Sequence, residues 1–343
     1  MSNLSKYISA IIASFILAAP AFAQDVVDPT AAVNDSGDTA WIITATALVL
    51  LMTLPGLALF YGGLVRSKNF LSVLIQCMAV GGICSILWVI VGYTLAFGPV
   101  SNGFLGGGLN WMFLNLGNIR EGTTIPESTF AMFQMTFAVI TPALMVGAWV
   151  ERARFGWVVA FSALWLLVVY APVTHWVWGE GWLSQLGVLD FAGGIVVHTT
   201  AGVSALVAAI MLGKRIGWPK TLMLPHSPAL TVAGAGLLWV GWFGFNGGSA
   251  LTATDDASQA IINTHIAASM GALVWIVIEK IKVGKSTAIG IATGAIAGLA
   301  TITPAAGFVG AGGSIIIGAL AGLICFFAVG LVKNGFGIDD SLD

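Results

Sequence analysis

The sequence predicts an all-α, polytopic membrane protein. Charged residues make up 8% of the chain and hydrophobic residues 58%, whereas a water-soluble globule carries roughly a quarter charged residues. Apolar runs long enough to cross a bilayer, about 20 residues per helix, recur along the chain. The basic residues gather in alternate connecting segments, an asymmetry that orients helices in a membrane.

Taken in order, the N-terminus comes first. Lys6, an apolar run from Ile11 to Leu17, and Ala21-Phe22-Ala23 before Gln24 match a secretory signal peptide with a small-residue cleavage site. Residues 1–23 are read as that signal and 24–343 as one membrane domain. An uncleaved first helix is the alternative, although its apolar core is short for a span. Nine predicted transmembrane helices follow, over 41–61, 71–97, 130–150, 156–173, 193–212, 229–245, 257–278, 287–303 and 314–331. The 44 glycines are scattered through these runs, where small residues let membrane helices approach closely. Cys77, Cys84 and Cys325 also lie inside apolar runs and read as packing residues rather than a disulfide framework.

Orientation follows from the loops. Arg66, Lys68, Arg152, Arg154, Lys214, Arg215, Lys220, Lys280, Lys282, Lys285 and Lys333 fall on one side, which accounts for 11 of the 13 basic residues. That side is expected to be cytoplasmic, with the mature N-terminus periplasmic and the C-terminus of this chain cytoplasmic. The third helix then runs inward with Phe133 and Phe137 near its outer end, four apart and on one face. The fifth runs inward with Asp190 just before it and His198 about one and a half turns inside. The sixth runs outward and ends in Trp242-Phe243-Gly244-Phe245-Asn246-Gly247-Gly248-Ser249. Trp178 is read as lying in the outer loop between the fourth and fifth helices.

Ionisable groups inside a span are costly and usually face the bundle interior or a cavity, which makes His198 a candidate functional residue. A histidine bonded to a neighbouring helix for structure alone is the competing reading, and it is preferred for His265 in the seventh helix. Phe137, Phe245 and Trp178, taken singly, read as interface anchors. Asp190 reads first as a helix cap. His175 and His226 are assigned to loops, without metal-ligand spacing. The chain has no P-loop, no GxGxxG unit, no HExxH and no paired CxxC, so neither an enzyme activity nor a cofactor is expected. A net charge of -2 offers nothing to attract nucleic acid.

Several segments carry a resemblance: Phe60-Tyr61-Gly62-Gly63-Leu64-Val65-Arg66-Ser67-Lys68-Asn69, Gly147-Ala148-Trp149-Val150-Glu151-Arg152, Asp190-Phe191-Ala192-Gly193-Gly194-Ile195-Val196-Val197-His198, and Gly241-Trp242-Phe243-Gly244-Phe245-Asn246-Gly247-Gly248-Ser249. With Gly294-Ala295-Ile296-Ala297-Gly298-Leu299 and Thr303-Pro304-Ala305, these keep their order from about residue 40 onward. The chain resembles the ammonium transporter family, the Amt branch of the Amt and Rh superfamily. The resemblance implies an eleven-helix inverted-repeat fold, a bacterial inner-membrane location, a homotrimer in membrane lipid, and passage of ammonium or ammonia.

It also implies roles. Trp178 and Ser249 resemble the outer recruitment site, with Phe133 in its wall. Phe137 and Phe245 resemble the stacked gate below it. His198 resembles the first of two pore histidines, and Asp190 the aspartate that supports the recruitment site. The nine spans fall short of eleven, so the sequence is expected to be a piece of a longer chain whose second pore histidine follows Asp343; a natural nine-helix protein is the alternative. A cytoplasmic P-II-type signalling partner is implied through a tail that this sequence does not include. An ammonium sensor or receptor of the same fold is the competing function, and a carrier for another small solute is a third.

Overall fold

The computed structural model describes residues 33–100, 103–108, 111–221 and 223–342. The signal-peptide reading of residues 1–23 lies outside them. Residues Asn34–Asp343 form one compact unit. Among the described residues nine helices are long and apolar enough to cross a membrane, and the only β pairing is two isolated bridges. The helices are α1 Ser36–Leu64, α2 Ser67–Phe97, α3 Glu127–Trp149, α4 Phe155–Gln185, α5 Gly194–Leu212, α6 Pro228–Gly248, α7 Asp255–Val283, α8 Ala288–Ala305 and α9 Ala311–Gly335. All-helical architecture follows from the solvent: hydrocarbon offers no partner to a free N–H or C=O, so each span bonds its backbone internally.

The helices run past the apolar cores that predict them, for local reasons. α1 begins at Ser36 because the Asp35 side chain accepts the Asp38 amide at 2.9 Å. α7 opens on Asp255 and Asp256 and closes on Lys280 and Lys282, charges that suit the helix dipole at each end. α4 corrects the sequence reading. Helix continues over Ala171–Trp178, so His175 and Trp178 stand on a helix rather than in a loop. The hydropathy signal fades at Thr174 and His175, yet both are buried: Thr174 bonds back to the Tyr170 carbonyl at 2.8 Å and His175 Nδ1 lies 3.0 Å from the Ala96 carbonyl oxygen.

α6 joins two groups of helices. On one side it packs along α1, which in turn meets α3; on the other it meets α7 and α8, and α7, α8 and α9 pack on one another. Backbones come close in this second group. A Cβ at Gly298 of α8 would stand 2.2 Å from the Ala267 carbonyl oxygen of α7, so only glycine allows the approach. α3 is the most enclosed span, and it touches α1, α2 and α5. The site described next lies along it.

Ion pairs and charged hydrogen bonds tie the loops at the far end of α3. Arg66 pairs with Glu151, and Arg215 pairs with Asp339 through Oδ1 at 2.6 Å. Arg152 donates to the carbonyl oxygens of Gly213 and Asp339. Burial pushes the Asp339 carboxyl up, but the hydrogen bonds and charge of Arg215 outweigh it and hold it below the ordinary aspartate range. Glu151 is likewise held low: burial opposes its charge, and Arg66, Asn69 and Arg215 together overcome that.

Candidate functional site: an aromatic mouth above a histidine

The site is built where α3, α4, α5 and α6 converge. Asp190 precedes α5 and its two carboxylate oxygens accept the amides of Gly193, Gly194, Ile195 and Val196 at 2.5 to 3.1 Å. These are the amides that a helix start leaves without partners, and a carboxylate there also suits the dipole. The Asp190 carbonyl accepts the Trp178 indole N–H at 2.8 Å, so the same residue fixes the start of α5 and the orientation of the tryptophan. Gly193 makes the turn possible with φ of 109°. A β-carbon there would meet Val197 and Trp178.

α5 then opens with a π-helical stretch over Gly194–Thr199. The His198 amide bonds to the Gly193 carbonyl, five residues back, at 3.0 Å. Such a widened turn is frequent at functional sites because it re-aims side chains that an ordinary helix would place elsewhere. The His198 ring lies against Trp242, with centroids 5.5 Å apart and planes 18° apart, and 5.9 Å from Phe245. Its Nε2 is buried and has no hydrogen-bond partner among the described residues.

Phe245 in turn lies 4.3 Å from Phe137, and Phe137 meets Trp178 edge-on at 5.8 Å. Trp178 and Ser249 line one cavity of about 160 Å³ together with Phe97, Phe130, Gln134, Phe191 and Leu251. Contact by contact, the order is cavity, Trp178, Phe137, Phe245, His198. The two phenylalanines are almost wholly buried. Ser249 donates its hydroxyl to the Phe245 carbonyl at 2.8 Å, which leaves its oxygen free to accept.

Phe133 is fully buried, its ring sits 5.0 Å from Phe137, and it backs onto Gly248. Phe97, Phe130, Gln134, Phe191 and Leu251 were not singled out by sequence reasoning. A signal existed for two of them: Phe130, Gln134 and Phe137 fall at i, i+4 and i+7 on one helical face. Arg120 stands over Phe130 at 4.6 Å and over Phe97 at 5.6 Å. Those rings therefore already carry a cation, which Glu127 neutralises at 3.3 Å.

The other histidines stand apart. His226 Nδ1 lies 3.2 Å from the Val65 carbonyl oxygen, and His265 is exposed on α7 beside Trp239. No group of three His, Cys, Asp or Glu among the described residues is placed to hold a metal ion.

The family model described as Ammonium Transporter Family matches residues 40–343. The chain belongs to the ammonium transporter family. It is 53% identical to an ammonium transporter of Bacillus subtilis over 90% of this chain and 76% of that protein. It is 48% identical to one of Aquifex aeolicus over 90% of this chain and 73% of the relative. Among solved structures, Saccharomyces cerevisiae Mep2 matches with a TM-score of 0.85 at 42% identity, covering 92% of this chain and 73% of that one. A structure titled Sensor Amt Protein matches at 0.84 and 31% identity, covering 89% and 77%. Family membership and the nine apolar helices among the described residues make the chain a multi-pass membrane protein.

Proposed function

We propose that the chain gathers ammonium at the mouth formed by Trp178 and Ser249 and passes it, behind the Phe137 and Phe245 rings, to a hydrophobic path lined by His198. The observation that carries this reading is the unbroken series of contacts from the cavity to the buried, unpartnered Nε2 of His198.

The physics favours ammonium over an alkali ion. A bare ion taken from water into an apolar medium loses hydration worth tens of kcal/mol in a Born picture, and a desolvated cation-π contact returns only about 2 kcal/mol. The mouth can concentrate the ion but cannot carry it intact through rings that touch. Ammonium escapes the conflict by shedding a proton, which potassium and sodium cannot do. Neutral ammonia then crosses the dry stretch, and an imidazole, with one nitrogen that donates and one that accepts, can take part in handling the proton.

By the distribution of Lys and Arg, the end carrying Arg66, Arg152 and Arg215 faces the cytoplasm of a cell inner membrane and the mouth faces the periplasm. The resemblance extends the reading to a homotrimer and a P-II-type partner on the basic face. Similarity to a structure titled Sensor Amt Protein supports a second reading, an ammonium sensor with little transport. Uptake of labelled methylammonium into proteoliposomes separates the two. Uptake abolished by His198→Ala supports conduction, whereas binding without uptake in the unaltered protein favours the sensor.

A further inference from the structure

The Thr303-Pro304-Ala305 segment that closes α8 takes no part in the mouth or in the series of rings, yet it meets the His198 assembly from two sides. It forms a short 3₁₀ turn. The Thr303 hydroxyl donates to the Leu299 carbonyl at 2.8 Å and accepts the Trp242 indole N–H at 2.9 Å. Thr303 is fully buried and Trp242 is 3% exposed. An indole N–H can only donate, so this hydroxyl fixes the plane of the ring on which the His198 imidazole lies. Pro304 meets the other side. Its carbonyl accepts the Phe191 amide at 3.1 Å, and a Cβ at Gly194 would stand 2.5 Å from Pro304 Cβ. The backbone that opens the π-helical stretch therefore rests directly on the proline.

We infer that Thr303 is a positioning residue for His198, acting through Trp242, while Pro304 seats the backbone that carries the histidine. The inference rests on the reading of His198 as part of the conduction path. His198 Nε2 has no hydrogen-bond partner among the described residues, so no bond at that atom holds the ring. Its faces do: Trp242 covers one with nearly parallel planes, and Phe245 stands 5.9 Å away. A ring held by its faces keeps its edge free for a passing molecule. Such a site stays in register only if the holding residue is itself locked by hydrogen bonds behind it. Removing the Thr303 hydroxyl leaves the buried Trp242 N–H without an acceptor, a costly state that the indole escapes by turning, and the imidazole then loses its backing. Because α8 packs with α7 and α9, this corner is also where that group of helices bears on the histidine of α5.

The test reads two signals from the complete protein. One is methylammonium uptake in proteoliposomes, with half-saturation and maximal rate separated; the other is the nitrogen NMR shifts of the His198 ring, which report its tautomer and surroundings. Thr303→Val, similar in shape but lacking the hydroxyl, is expected to lower the maximal rate about tenfold, the worth of one buried hydrogen bond. Half-saturation should change little, and the ring signals should shift. Thr303→Ser keeps the hydroxyl and is expected to hold both readouts near wild type. In a Trp242→Phe background there is no N–H to satisfy, so Thr303→Val should add nothing further. Unshifted ring signals in Thr303→Val, or an equal loss of rate in both backgrounds, would overturn the positioning role. Shifted signals with an unchanged rate would leave the positioning in place and overturn the part given to His198 in conduction. If Thr303→Val does not reach the membrane, Trp242→Phe decides: unshifted ring signals in that variant sink the proposal.

Discussion

The rings of Phe137, on α3, and Phe245, on α6, lie 4.3 Å apart, tilted by 38°. Contact this close leaves no room for a hydrated ion between them. Phe245→Leu and Phe137→Leu each shorten one ring and are expected to admit ions that the intact pair excludes. Potassium-carried current across a bilayer containing the purified variant would report this. Current no greater than that of the unaltered protein would show that exclusion lies elsewhere along the path.

Asp190 holds four amides with one carboxylate. Asp190→Asn replaces two charged acceptor oxygens by one neutral oxygen and an NH₂ that faces backbone donors. Loss of charge-assisted bonds at a helix start is expected to destabilise the protein by about 1 to 3 kcal/mol, the range for leaving a buried donor unsatisfied. The Trp178 contact with the Asp190 carbonyl should loosen with it. Thermal unfolding in detergent checks the first effect and methylammonium half-saturation the second. A variant with unchanged melting temperature would contradict the capping geometry.

Gly193 adopts φ of 109°, a region a side chain enters only with strain. Gly193→Ala adds that strain to a clash with Val197 and Trp178. Reduced stability of about 1 to 3 kcal/mol is expected, together with impaired uptake greater than that of alanine at Gly236, where nothing lies within reach of a new Cβ. Comparing melting temperature and uptake for the two alanine variants gives the answer.

At the opposite end of α3, Arg215 and Asp339 are both buried and bonded. Removing one partner leaves an uncompensated charge and typically costs about 3 to 5 kcal/mol, whereas replacing both by apolar residues is often neutral. Asp339→Leu should therefore lower the melting temperature, and adding Arg215→Met should restore much of it. A double variant no more stable than Asp339→Leu would argue against the pair as the source of the effect.

The same cluster sets an acid limit. Asp339 and Glu151 are held below their ordinary range in the fold. A carboxylate whose folded value is depressed gives stability that is complete above its unfolded value and is lost as pH falls through the folded value. Melting temperature should thus be flat from near neutral down to about pH 5 and should fall below the ordinary carboxylate range near pH 4. In Asp339→Asn the acid slope should be shallower; an identical slope would assign the acid sensitivity to other groups.

Much of this molecule is legible in its sequence. Hydrocarbon imposes a local rule, a run of apolar residues with its backbone bonded internally, and local rules can be read by counting along the chain. The spans beginning near residues 41, 71 and 130 are found where they are predicted, and the helix-starting aspartate is visible from its place before a glycine-bearing apolar run. The reading failed where that rule weakens. Thr174 and His175 dilute the hydropathy of α4, so hydropathy predicts a loop at Trp178, whereas both residues are buried and the helix continues to Trp178.

By itself, the sequence determined an all-helical membrane protein, the order of its spans, the family resemblance and the aromatic and histidine candidates. Only the tertiary structure decided which of those candidates meet. The widened turn at Gly194–Thr199 aims His198 at Trp242 and Phe245, Phe133 packs its ring against Phe137, and Gln134 carries a buried Oε1 with no partner among the described residues. These relations depend on how helices far apart in sequence pack side chain against side chain. Hydropathy sums over neighbours in the chain and therefore carries no information about them.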